Sequence, residues 1–180
     1  MGTGPSSDLM ERAARVRLLA LDVDGVLTDG RLYFDQQGNE MKAFFTRDGM
    51  GIKALLRFNI EVALITGRQS RIVDDRAAQL GIRHVFQGRD DKLNALRELM
   101  SETGVGEQAI CYAGDDWLDL PVIERIGLAV APADAAPLVR ERVHWVTAAG
   151  GGRGAVREIC DLILTAQGLN DRLVQEFPAK

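Results

Sequence analysis

The chain has 180 residues, 46% of them hydrophobic, which suits one ordinary globular core and leaves no room for two full domains. Its 22 basic and 26 acidic residues give a net charge of -4 without a run of like charges, which argues against a nucleic-acid or anionic-membrane surface and for a small metabolite as partner. The first residues carry no apolar targeting core and no later apolar run reaches transmembrane length, so the cytoplasm is the expected compartment.

Residues 1–17 are rich in Gly, Ser, Pro and charge and predict a flexible N-terminal segment ahead of a core over 18–168. The apolar run 18–23 predicts a strand buried on both faces. Residues 31–34 and 41–46 flank the turn-rich Gln36-Gln37-Gly38-Asn39, which predicts an antiparallel hairpin over 31–46, inserted just after the first strand. Helical periods over 49–58, 70–80, 90–102, 118–126 and 154–167 then alternate with strand-like runs at 61–65, 84–86, 109–112, 127–130 and 143–146. Gly81 and Gly168 stand as C-terminal stops. The alternation predicts an α/β fold, a three-layer Rossmann-like parallel sheet with helices on both faces. Residues 169–180 lack a strong period and predict a flexible C-terminal tail. Cys111 and Cys160 lie in apolar runs, as buried thiols rather than a disulfide framework, and His84 and His144 are solitary, so any metal must be held by oxygen.

In an open parallel sheet, ligands bind outside the carboxyl ends of the strands. The first strand ends in Asp22-Val23-Asp24-Gly25, the second in Thr66-Gly67-Arg68, a helix opens near Lys92, and a later strand ends in Gly114-Asp115-Asp116. Carboxylates crowded at one point repel unless a cation lies among them, and Asp22 with Asp115 supplies the hard oxygen ligands that Mg2+ prefers, with the Asp24 carbonyl as a third. Asp22 is ionised at neutral pH and can attack phosphorus without an activating base, forming an acyl phosphate that water hydrolyses. Asp24, two residues on, can protonate the leaving alkoxide and then activate the water. Thr66 can hydrogen-bond the phosphoryl oxygens and Lys92 can offset their charge. Taken singly, Asp24-Gly25 reads as a turn, Thr66 as a helix cap, Lys92 as a solvated charge and Asp115-Asp116 as an N-cap pair. Together, at successive strand ends, they read as one phosphatase site.

These residues carry a resemblance. Asp22-Val-Asp-Gly-Val-Leu-Thr28, Thr66-Gly-Arg68, Lys92 and Gly114-Asp-Asp-Trp-Leu-Asp119 resemble the four motifs of the haloacid dehalogenase superfamily. More narrowly, Phe45-Thr46-Arg47-Asp48-Gly49, Asp74 to Gly81, Phe86-Gln87-Gly88 and Gly151 to Glu158 resemble the capless 3-deoxy-D-manno-octulosonate 8-phosphate phosphatase family, which feeds lipopolysaccharide synthesis in Gram-negative bacteria. The resemblance implies a magnesium-dependent phosphomonoesterase with Asp22 as nucleophile, Asp24 as acid/base, Asp22, Asp24 and Asp115 on the metal, and Asp116 and Asp119 supporting from behind. It implies phosphate and sugar contacts at Asp24, Phe45, Thr46, Arg47, Asp48, Gly49, Lys53, Arg68, Arg76 and Lys92. Lys53 departs from the arginine frequent in that family, and lysine lacks the planar fork.

About 25 residues separate the first acidic pair from the next core helix, too few for a cap domain. A bare crevice admits water, so a neighbouring subunit is the expected cover, with the hairpin at the centre of a homotetramer as the family implies and the tail bearing on a neighbour's site. Three alternatives remain: a phosphatase for a nine-carbon keto-acid 9-phosphate, whose family tends to carry Glu where Arg68 stands, a phosphoacceptor receiver, and a non-catalytic oligomerisation module. Motif order argues against the receiver and the intact acidic set against the inert module.

Overall fold

The computed structural model describes residues 5–176. Its core is a six-stranded, wholly parallel sheet of β1 (Leu18–Leu21), β4 (Glu61–Ile65), β5 (His84–Phe86), β6 (Ile110–Ala113), β7 (Leu128–Ala131) and β8 (Trp145–Val146) in the order β5-β4-β1-β6-β7-β8. Short apolar runs bounded by Gly and polar residues make such strands, and every residue of β1, β6 and β7 is buried. Alternate side chains of these strands go to opposite faces. Leu19, Leu21, Cys111 and Ala113 pack under α1 (Ser7–Ala14), α2 (Thr46–Arg57), α3 (Arg71–Leu80) and α7 (Ala155–Ala166). Leu18, Ala20, Ile110 and Tyr112 pack under α4 (Lys92–Thr103), α5 (Leu120–Ile123) and α6 (Pro137–Arg140). The chain runs outward from β1 to β4 and β5, then crosses back to β6 on the other flank, so the switch point of the sheet lies between β1 and β6.

The expected hairpin forms from β2 (Tyr33–Phe34) and β3 (Glu40–Met41), paired antiparallel with Tyr33 opposite Met41. Asp35 closes its turn by accepting from the backbone of Gln37 and Asn39. Only the hairpin separates β1 from α2, and only α3 and β5 separate β4 from α4, so no cap domain is present among the described residues. None of their helices is long and apolar enough to cross a membrane.

Both ends correct the reading of flexible termini. Ser6 caps α1 by accepting the Leu9 N–H at 3.2 Å, and Leu9, Ala13 and Val16 enter the core. That i, i+4, i+7 stripe was present in the sequence, but the surrounding Gly, Ser and Pro obscured it. At the other end α8 (Asn170–Glu176) follows the turn at Gly168, and Leu169 and Leu173 pack on the core. The tail segment 169–176 is thus held on its own chain; residues 1–4 and 177–180 lie outside the described residues. α2 starts three residues earlier than its period predicts, at Thr46, because the polar first turn hides the start. The predicted helix 118–126 is instead a 3-10 turn, Trp117–Asp119, running into the short α5, with Pro121 near its start.

Candidate active site

The switch point opens into a crevice of about 300 Å³ lined by Asp22, Asp24, Thr66, Arg68, Lys92 and Asp115, among others. A larger groove of about 420 Å³ lies at the opposite ends of β4 and β5. Its charges neutralise one another on the surface, Arg83 on Glu61 at 2.8 Å and His84 beside Glu102 at 3.1 Å. The chemistry therefore belongs to the smaller crevice.

Asp22 follows β1 directly and is nearly buried. Its Oδ1 accepts the Val23 N–H at 2.6 Å and its Oδ2 accepts from Lys92 Nζ at 2.7 Å. Lys92, the first residue of α4, is 4% exposed and donates equally to Asp119 Oδ1, also at 2.7 Å. Burying an ammonium alone costs several kcal/mol, and the two carboxylates are what make this position tolerable. Burial works against the charged lysine, but Asp22 and Asp119 outweigh it and hold its pKa above the usual value. Asp119 is fully buried and fully engaged: Oδ1 also takes the Tyr112 hydroxyl at 2.6 Å, and Oδ2 takes the backbone N–H groups of Asp115 and Asp116 at 3.0 and 3.1 Å.

Asp115 follows β6, one strand over from Asp22. Burial, reinforced by the negative charges of Asp22 and Asp119, pushes its carboxyl up to about 7. Burial likewise lifts Asp22 to about 6, against the pull of Lys92. Oxygens of Asp22, Asp115 and Asp119 can come within 4.8 Å of one another, a set that fits a hard divalent cation. Because each oxygen of Asp119 already accepts two hydrogen bonds, whereas each oxygen of Asp22 accepts one, Asp22 and Asp115 are the carboxylates with lone pairs left for an ion. Gly25 permits this closeness: its φ of +90 suits glycine, and a Cβ there would lie 2.0 Å from Asp115 Oδ2. Thr28 steadies the same loop by accepting from Gly25 and Gly30, and Gly152 donates to Val26 from the glycine-rich turn before α7.

Asp24 also lines the crevice, and its Oδ1 accepts from Lys42 Nζ at 2.5 Å. Lys42, at the root of the hairpin, also approaches Glu40 at 3.4 Å, and Arg68 donates to the same Glu40 oxygen at 2.8 Å. Although burial works the other way, Lys42, Ser70 and Arg68 hold Glu40 below the ordinary carboxylate range. Thr66 is buried at the end of β4, its hydroxyl accepting weakly from the Arg68 N–H at 3.4 Å. Asp116 caps the 3-10 turn through the Trp117 N–H.

The structure therefore gathers Asp22, Asp24, Thr66, Arg68, Lys92, Asp115, Asp116 and Asp119 around one crevice. It does not bring the Phe45 to Gly49 stretch, Lys53 or Arg76 there within one chain. Asp48 is buried, and its Oδ1 accepts the Arg157 N–H at 2.8 Å, fastening α2 to the first turn of α7. Gly49 is small because Arg76 and Leu80 lie where its Cβ would stand. Arg76 covers the Phe44 ring at 5.5 Å, while Thr46, Arg47 and Lys53 face solvent. A motif match reports that residues matter together, and packing satisfies that as well as ligand contact does. Sequence reasoning missed Lys42, Glu40 and Tyr112. The only signal for Lys42 was a charge just after Glu40-Met41 and ahead of the apolar Ala43-Phe44-Phe45.

Comparison with known proteins follows the same lines. Residues 81–158 match the family model for haloacid dehalogenase-like hydrolases. The chain is 52% identical over 169 residues to the 3-deoxy-D-manno-octulosonate 8-phosphate phosphatase KdsC of Escherichia coli (strain B / BL21-DE3), an alignment covering 93% of this chain and 90% of the relative. The crystal structure of the phosphatase of that name from Yersinia pestis superposes with a TM-score of 0.92 at 50% identity, over 93% of this chain and 90% of that one. Its counterpart from Moraxella catarrhalis, in complex with magnesium ion, phosphate ion and KDO, superposes with a TM-score of 0.93 at 40% identity, over 97% and 100% of the two chains.

Proposed function

The chain belongs to the 3-deoxy-D-manno-octulosonate 8-phosphate phosphatases of the haloacid dehalogenase-like hydrolases, and from that premise we propose how its own residues divide the work. It is a magnesium-dependent phosphomonoesterase that releases phosphate from 3-deoxy-D-manno-octulosonate 8-phosphate. In this reading Asp22 attacks phosphorus, its carboxylate aimed by the Val23 N–H and Lys92. The Asp22–phosphorus bond forms, the ester P–O bond breaks, and Asp24 gives the leaving oxygen its proton. Asp24 then takes a proton from the water that attacks the aspartyl phosphate, and phosphate leaves with Asp22 restored. Thr66 and Lys92 hold the phosphoryl oxygens. Asp22, Asp115 and the Asp24 carbonyl would hold the magnesium ion, which supplies positive charge against the crowded carboxylates and phosphate.

The observation that carries this reading is the engagement of Lys92 with both Asp22 and Asp119, which fixes the nucleophile while the Asp115 and Asp24 carboxylates face it across the crevice. Arg68 stands where the nine-carbon family tends to carry Glu, which favours the eight-carbon sugar acid, and its guanidinium can pair a substrate carboxylate bidentately once Glu40 yields it. Assembly as a homotetramer is supported by the hairpin, where Leu32, Phe34 and Met41 are each more than half exposed at 51%, 56% and 55%. The exposed Thr46, Arg47 and Lys53 would then serve the crevice of a neighbouring copy. The free, buried thiols Cys111 and Cys160 and the phosphorylated sugar-acid substrate support a cytoplasmic place in lipopolysaccharide precursor synthesis.

Turnover of the eight-carbon 8-phosphate, the nine-carbon 9-phosphate and a small phosphate ester, each with magnesium and with a chelator, tests the reading together with light scattering. Magnesium-dependent preference for the eight-carbon substrate by a tetramer is the expected result. Equal rates for all three substrates would overturn the role of Arg68, and a fully active monomer would overturn the assembly.

A further inference from the structure

We infer that Lys42, on the hairpin and outside every recognised motif, is the positioning residue for the Asp24 carboxylate. The inference rests on the reading of Asp24 as acid/base and deepens it. The Lys42 side chain is only 2% exposed, against 20% for that of Asp24, and its ammonium meets Asp24 Oδ1 at 2.5 Å. A lysine buried to that degree needs carboxylate partners, and only two lie within ion-pair reach of it among the described residues, Asp24 and, at 3.4 Å, Glu40. Its place is therefore chosen by the crevice and by the hairpin together.

The two oxygens of Asp24 differ in consequence. Oδ1 is anchored by Lys42, whereas Oδ2 is buried without a hydrogen bond, with Arg68 Nε at 3.8 Å from it. A carboxylate on a loop can rotate about two side-chain bonds; a charged donor on one oxygen fixes the plane of the group at the wall of the crevice. Proton transfer to a leaving oxygen depends on that orientation, and displacement of about 1 Å can cost ~100-fold in rate. Glu40 extends the arrangement, since one of its oxygens is shared between Lys42 and Arg68. The hairpin thus sets the acid/base and restrains the residue that reads the sugar carboxylate.

The test separates positioning from mere support of the hairpin. Lys42→Met, Asp24→Asn and the double variant are assayed by single-turnover phosphorylation of Asp22, the step before water attacks, on the sugar-acid phosphate, whose alkoxide leaves poorly, and on p-nitrophenyl phosphate, whose phenolate needs little protonation. Lys42→Met should slow phosphorylation by the sugar phosphate about 100-fold with its apparent affinity little changed, and phosphorylation by the aryl ester less than about fivefold. The double variant should be no slower than Asp24→Asn alone, since Lys42 acts through Asp24. If Lys42→Met does not fold, Lys42→Gln, which keeps a donor without charge, carries the same expectation at about tenfold. Equal losses on both esters, or a double variant far slower than Asp24→Asn, would overturn the inference. An Asp24→Asn variant that harms both esters equally would instead remove the acid/base reading beneath it.

Discussion

The crevice between β1 and β6 and the seam between α2 and α7 each bury an aspartate, and burial lifts both Asp22 and Asp48 to about 6. The two then part. Asp22 shares its lysine with Asp119 and faces Asp115 across an open crevice, so its charge is surrounded by groups that a phosphate and a cation can use. Asp48 spends one oxygen on the backbone N–H of Arg157, keeps the other buried without a hydrogen bond and is sealed beneath two helices. A raised carboxyl pKa reports burial in both places; access and the identity of the neighbours decide which one does chemistry.

Replacing Asp22 with Asn should break the comparison most sharply. The amide still accepts the Val23 N–H and keeps the chain folded, but it cannot form the aspartyl phosphate, so turnover should fall by at least ~10⁴-fold with circular dichroism unchanged. Measurable burst formation of a phospho-enzyme in that variant would deny Asp22 its role. Gly25→Ala ranks next: a Cβ there meets the Asp115 carboxylate at 2.0 Å and must adopt a φ of +90. Displacing Asp115 should cost roughly 100-fold in kcat/KM and weaken magnesium dependence measured by titration, while the global fold persists.

The smallest effect belongs to the seam, and its sign follows from the raised pKa. Folding favours the protonated Asp48 carboxyl, so this group contributes stability below about pH 4 that is lost as pH rises through about 6. Asp48→Asn removes that titration. The stability gap between variant and wild type, from urea unfolding, should therefore shift toward the variant by up to about 2 kcal/mol between pH 4 and 7. Turnover per folded molecule should change less than about twofold, because Asp48 lies beneath the surface rather than in the crevice. A pH-independent gap would show that the carboxyl is not strained by burial.

Much of this molecule was legible because its informative residues sit where local pattern points. Apolar runs of strand length ended in Asp22, Thr66 and Asp115, and alternating periods implied the parallel sheet that places such ends side by side. The hairpin was legible from its turn. What stayed hidden was equally local: Gly, Ser and Pro around α1 masked its apolar stripe, and the match at 45–49 gave no sign that Asp48 and Gly49 pack against α7 and α3.

The sequence by itself determined the order of strands and helices, the acidic strand ends and the reaction class they suit, since hydrophobic period and turn chemistry act over a few residues. Tertiary structure alone decided which charges share a partner. Lys92 joins Asp22 across 70 positions, Lys42 joins Asp24 across 18, and Asp48 caps a helix turn 109 positions away. Such pairs cost desolvation and are favoured only when the packed sheet and helices hold both groups in one low-dielectric place, a condition that no local stretch of sequence carries.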